Sequence, residues 1–183
     1  MRATDILKEE HRIIERVIAV LESGALKLEE GKPVRPGLFI EATEFIKGFA
    51  DGCHHQKEEG VLFQSMVAFG VPVEGGPIGV MLAEHEQGRT FTRNLYSAAQ
   101  RLEAGDAAAI QDVVSNARGY AQLLRLHIMK EDQILFPLAD RVLSPSEQDR
   151  VLNGFEHVEH EETGEGVHEK YLALAEKLSL EIG

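Results

Sequence analysis

Histidine and glutamate recur together in this chain at separations that suit a bound cation. The block HHQKEEGVLF, His54 to Phe63, lies above HIMKEDQILF, His127 to Phe136, and in each a His precedes a Glu by four residues: His54 and Glu58, His127 and Glu131. Residues four apart on a helix share a face, with Cβ atoms about 5–6 Å apart, so one ion fits between such a pair. A Glu-His pair stands upstream of each block, at His11 and at His85, with nearly the same offset between halves (73 from His54 to His127, 74 from His11 to His85). The chain is therefore an internal repeat in which each half supplies one His and then a His-x-x-x-Glu.

Packed together, the two halves bring four imidazoles and two carboxylates into one interior. A lone ionised Glu there would cost several kcal/mol or be forced neutral, and a cation removes that penalty. Four His serve two ions with two imidazoles each, and two carboxylates between the ions can bridge them. An oxo or hydroxo bridge then brings each ion to about five donors, which leaves room for a small exogenous ligand. Imidazole and carboxylate without thiolate suit iron or manganese better than a closed structural zinc site, and iron is the expected metal. The carboxylate-rich Glu-x-x-His sites of ferritin-like bundles have the opposite order and a shorter spacing.

The elements that must position these residues are helices. Leu7, Ile14, Leu21 and Leu28 recur every seven residues, with His11, Ile18 and Ala25 as the companion row. Val113, Tyr120, His127 and Ile134 form a second such seam beside Ala117, Leu124, Glu131 and Leu138. Gly and Pro clusters delimit long amphipathic segments at about residues 4–30, 36–69, 77–103 and 106–140, with Thr4 as the expected first cap. Segments of that length joined by short loops bury their stripes only against one another, which predicts an all-α, antiparallel four-helix bundle over residues 1–140. Ser144, Pro145 and Glu147 open a further helix to about Glu162, and Tyr171, Leu174 and Leu178 mark a last one, so residues 141–183 read as a helical extension packed on the bundle.

Composition narrows the function classes. In 183 residues, 19 Lys and Arg face 31 Asp and Glu, a net charge of −12 that repels phosphate backbones and anionic headgroups, so neither nucleic acid nor a membrane surface is an expected partner. One Cys makes no internal disulfide, and the first 30 residues carry charges where a signal peptide needs an apolar run, which reads as a cytoplasmic protein.

With KEEGVLF after His54 and KEDQILF after His127, the chain resembles the hemerythrin family, specifically the bacterial HHE cation-binding proteins, in which KEE-x-x-LF follows a ligand His. FEHVEHEETGEGVHEKY is similar to the C-terminal segment of stand-alone members. Carried over by position, the resemblance implies the metal ligands His11, His54, Glu58, His85, His127 and Glu131, two iron ions, and a small ligand such as O2, peroxide or NO. It implies a sensor or a handler of iron and redox stress, with an enzyme that reduces peroxide or nitric oxide, iron-cluster repair or plain iron buffering as the alternatives. Oxygen carriers of the family have a second His one turn from the third-helix ligand, whereas Met81 and Arg89 flank His85 here, and reversible oxygen carriage is not expected. They also use an Asp five residues after the fourth-helix His; Asp132 is so placed, but Glu131 matches both Glu58 and the seam.

Other candidates have blander readings. His55 is taken as solvated helix surface because its repeat counterpart is Ile128, with a role beside His54 or with Glu59 as the alternative. Cys53 and Tyr120 read as packing. His157, His160 and His168 lie in an acidic tail and read as surface, with His168 a candidate fifth ligand or lid over the open end of the bundle.

Overall fold

The computed structural model describes residues 2–164 and 166–182. Helix α1 (Ala3–Glu29) is followed by a continuous helix α2 (36–68), then α3 (Pro77–Glu103), α4 (107–142), α5 (145–163) and α6 (Val167–Ile182), and no strand occurs among the described residues. Pro36 and Pro77 occupy first-turn positions of α2 and α3, where the missing N–H costs nothing. The α1 start differs slightly from expectation. Arg2 is the cap residue, its N–H donating to Asp5 Oδ2 at 2.8 Å, while the Thr4 hydroxyl donates to Asp140 Oδ1 at 2.9 Å.

Helices α1 to α4 form the closed bundle, with α1 against α4, α4 against α3, α3 against α2, and α2 against α1. Helix α6 lies along α1 and α2, and α5 rests on α1 and on the 58–62 turn of α2. Ser144 Oγ accepts from the Glu147 N–H at 3.3 Å, the expected cap of α5. Gly164, at φ +101°, turns the chain from α5 to α6 in a conformation that other residues rarely adopt. Tyr171 then packs so closely on Gly48 that a Cβ there would collide with the phenol.

Three helices are not uniformly α-helical: α5 ends in a π-helical stretch, Val158–Thr163, and the other two carry theirs at the bundle interior. In α2 the stretches Ile46–His55 and Glu58–Leu62 are π-helical, and in α4 so is Glu131–Leu135. Each wider turn accommodates an extra residue and so shifts the buried stripe by one. Ile134, expected on the α4 seam, is 60% exposed for this reason, and Leu135 and Ala139 take the buried positions instead. The core consequently splits in two. One apolar cluster contains Ile14, Leu21, Phe45, Leu95, Val113 and Tyr120; the other contains Leu7, Phe63, Met66, Met81, Phe136 and Phe155. Between them, at the π-helical turns, lies a polar layer.

Candidate metal centre

That layer contains every residue the spacing selected. His11, His54, Glu58, His85, His127 and Glu131 are all buried, none more than 2% exposed. Glu59 and Asp132, the neighbours that a one-residue change of frame would have chosen, lie at the layer's edge. The π-helical turns begin at Glu58 and Glu131, so both carboxylates face inward together with the histidines four residues before them.

Two groups of donors form, and they share Glu58. His11, His54, Glu58 and Glu131 make one; His55, Glu58, His85 and His127 make the other, each with its ligating atoms within 4.8 Å of one another. Glu58 lies between the groups, 3.5 Å from His54 Nε2 and 3.4 Å from His85 Nε2. Glu131 does likewise, 3.2 Å from both His11 Nε2 and His127 Nε2. A carboxylate shared between one imidazole of each group stands where a bridge between two ions would stand.

The expectation for His55 is overturned. It is 3% exposed rather than solvated, stacks on the His85 ring with centroids 3.8 Å apart, and belongs to the second group. Along the π-helical stretch the wider turn reduces the angle between consecutive side chains, so His54 and His55 both reach the interior. The overlooked signal was the counterpart itself: Ile128 is buried, and an apolar residue at the equivalent position marks an inward site. A second signal was Asp51, one turn before His55.

Each of the five histidines is held by a carboxylate on Nδ1. His54 pairs with Glu10 at 2.8 Å, His127 with Glu84 at 2.9 Å, His85 with Glu59 at 2.7 Å, His11 with Asp132 at 2.8 Å and His55 with Asp51 at 2.9 Å. A ring so anchored presents Nε2 to the interior, which is how metal-ligating imidazoles are usually oriented. Cations stand behind the carboxylates. Lys57 Nζ donates to Glu10 at 2.5 Å and to Glu159 of α5 at 3.0 Å; Lys130 pairs with Glu84, Arg89 with Glu59 and Arg12 with Asp132.

Inside that shell, polar atoms lack partners. His11 Nε2, His54 Nε2 and all four oxygens of Glu58 and Glu131 are buried without a hydrogen bond. Leaving such atoms unsatisfied costs about 1–3 kcal/mol each, so the donor set calls for a cation. The proton affinities agree. Burial alone would lower the His11 pKa, but the neighbouring Asp132 and Glu131 carboxylates raise it to about 9; the Glu131 and Glu84 carboxylates likewise overcome burial to raise His127 to about 10. The interior attracts positive charge. His55 is the exception: burial, then the neighbouring histidines, push it well below the ordinary value, which keeps its ring neutral and able to donate a lone pair.

The remaining candidates fall outside the two groups. Tyr120 is buried in the larger apolar cluster, where its hydroxyl has no hydrogen-bond partner. Cys53 is buried, and burial foremost raises its pKa. His168 packs edge-on against Phe49, 5.2 Å between centroids, and lies near Glu10 and Cys53, where the Lys57 ammonium already balances Glu10. It covers the outer face of α2 rather than entering the centre. No helix among the described residues is long and apolar enough to cross a membrane.

Comparison with known proteins supports a cation-binding role. Uncharacterized proteins of Mycobacterium bovis and Mycobacterium tuberculosis are 24% identical over 163 residues, covering 89% of this chain. The chain spans 63% of the length of these curated relatives. No solved structure matches it significantly. The hemerythrin HHE cation binding domain matches residues 2–139, the segment that contains all five histidines and both inward glutamates, and the chain belongs to that family.

Proposed function

We propose that the protein is a non-haem di-iron protein that binds O2 or a related small ligand, NO or peroxide, at one of its two ions. The observation that carries this reading is the unequal donor set. His55, His85 and His127 would supply three nitrogens to one ion, whereas His11 and His54 would supply two to the other, with Glu58 and Glu131 placed between the groups. Five protein donors leave little space at the first ion; four leave more at the second. The absence of a second His one turn from His85 argued against reversible ligand binding, and His55, arriving from α2, removes that objection.

Bound iron would supply redox chemistry and open coordination sites. The protein contributes the orientation of every ring through its Nδ1 carboxylate and excludes bulk water with apolar clusters on both sides of the layer. An apolar enclosure favours small uncharged ligands over organic substrates, which suits a sensor or scavenger of diatomic molecules.

Metal analysis of the protein purified in air should give two iron ions per chain, and azide titration of the visible spectrum should saturate at one azide per chain. Anaerobic reduction followed by cycles of air and argon then tests reversibility. Repeated spectral cycling supports ligand binding, and steady catalytic consumption of peroxide or nitric oxide supports the enzyme reading. A chain that loads zinc in preference to iron, with no response to azide, would refute both.

A further inference from the structure

A cavity of about 510 Å³ opens between α2 and α3, outside the metal layer, and is lined by Thr43, Lys47, Asp51, Arg89, Thr92, Arg93 and Tyr96 together with Glu44. Its volume falls in the range of small-molecule sites, about 300–1,000 Å³, and far exceeds the needs of an inorganic ion. In a chain of net charge −12, 12 of the 19 basic side chains pair with carboxylates among the described residues, and of the seven that do not, Lys47 and Arg93 stand one helix apart at the same opening. Both line the cavity. Glu44, the one unpaired acid in its lining, is exposed, as Lys47 and Arg93 are, so the two cations outnumber it at the mouth, and Asp51 is already engaged by His55 Nδ1 at 2.9 Å and Arg89 Nε at 3.5 Å. The walls offer the methyl-bearing side chains of Thr43 and Thr92 and the half-exposed ring of Tyr96.

Free cations beside an aromatic platform favour a ligand with an anionic head and a flat or apolar body. We infer that this cavity binds a small organic carboxylate, its head paired with Lys47 and Arg93 and its body against Tyr96 and Thr92. Arg89 forms the inner wall and also clamps Glu59 at 2.7 Å, which in turn holds His85. Occupancy would compete for Arg89 and so reach the two rings, His55 and His85, that stack on one another at the metal centre. This coupling rests on the proposed function; the binding itself does not.

Benzoate is a suitable probe, titrated calorimetrically into the full-length, metal-loaded protein. Saturable binding is expected, at least tenfold weaker for benzyl alcohol, which has a similar body without the charge. Lys47→Gln with Arg93→Gln should weaken benzoate at least tenfold, while Arg16→Gln with Arg141→Gln, an equal change in net charge at exposed positions, should leave it unchanged. No saturable binding, equal affinity for benzyl alcohol, or benzoate binding that survives in the Lys47/Arg93 variant would each overturn the site; the last would place the carboxylate elsewhere, for example on the metal. The visible spectrum, followed in the same titration, reads the coupling. A shift that disappears in the Lys47/Arg93 variant supports it, and binding with an unchanged spectrum refutes the coupling alone.

Discussion

The first hairpin, α1 and α2, and the second, α3 and α4, carry the same pattern but differ on one face of one helix. Both have a His followed four residues later by an inward Glu, both open a π-helical turn at that Glu, and both hold the His Nδ1 through a Glu-Lys pair, Glu10 with Lys57 and Glu84 with Lys130. The departures lie in α2. Its π-helical stretch from Ile46 to His55 faces regular α-helix in α4, and the pair Asp51 and His55 stands where α4 has Leu124 and Ile128. A polar ligand and its orienting carboxylate replace an apolar pair as a unit, since either alone would leave a buried polar group unsatisfied. Approximate symmetry builds two donor groups around shared carboxylates, and this paired replacement makes the two groups different.

The shared element gives the largest expected effect. Glu58 belongs to both donor groups, so Glu58→Gln should reduce bound metal from two ions to one or none, and Glu131→Gln should do nearly the same if the halves are equivalent around their carboxylates. Metal content after gel filtration measures this directly. Two retained ions in the Glu58 variant would remove the shared-carboxylate reading, and a large inequality between the variants would show that only one carboxylate bridges.

The two lysines come next, because the comparison here is between a covered and an uncovered position. Lys57 is fully buried, capped by Glu159 of the extension, whereas the Lys130 side chain is 30% exposed. Removing one partner of a buried pair strands the other charge, so Lys57→Met should cost about 3 kcal/mol or more of folding stability. Lys130→Met should cost about 1 kcal/mol or less, because solvent screens what remains. Urea unfolding of both variants, metal-loaded and stripped, checks the difference. Equal costs would mean that the extension contributes nothing to burial of the first pair.

The fold was legible in the sequence to a degree that the finer parts of the site were not. Heptad rows and breakers locate the six helices of the described residues within a few positions, because amphipathic periodicity and Gly or Pro stops are local signals. The inward choice of Glu58 over Glu59, and of Glu131 over Asp132, also followed from the rows and the repeat. What periodicity concealed was the change of register. A seam extrapolated at 3.6 residues per turn carries Ile134 inward, whereas the π-helical turn puts Leu135 there. His55 escapes the pattern for a related reason: two consecutive residues face one interior only where the helix widens, and the apolar counterpart Ile128 marks an inward position without marking a ligand. Four of the five Nδ1 carboxylates join residues 26 to 121 positions apart, beyond the reach of any local pattern; only Asp51 lies within a turn of its histidine.

His55→Ile imposes the second hairpin's residue on the first and tests the asymmetry itself. The layer should still hold cations, because the four repeat-related histidines and both carboxylates remain, but the ion near His85 and His127 loses a nitrogen. Its affinity should fall about tenfold to a hundredfold, and azide should then bind two per chain instead of one. Azide stoichiometry unchanged at one would mean that the histidine count does not decide which ion is open. The reverse substitution, Ile128→His, should not create a sixth histidine ligand, because Leu124 offers no carboxylate to hold the new ring.

The smallest effect is expected where the halves are most alike. Glu59 and Asp132 do not enter the donor groups; each accepts from the Nδ1 of a histidine in the opposite half and is paired with an arginine. Glu59→Gln and Asp132→Asn keep an oxygen that can accept the same hydrogen bond but lose the charge that makes the imidazole a better donor, so metal affinity should weaken about tenfold while two ions remain bound at saturation. Chelator competition, followed by the rate and extent of iron release, measures this. Loss of an ion outright in the Asp132 variant would show that the aspartate ligates directly, and the inward placement of Glu131 would then describe only the metal-free chain. Equal, modest losses in both variants would show that the two halves differ at His55 and Lys57 and agree in how their first-helix histidines are aimed.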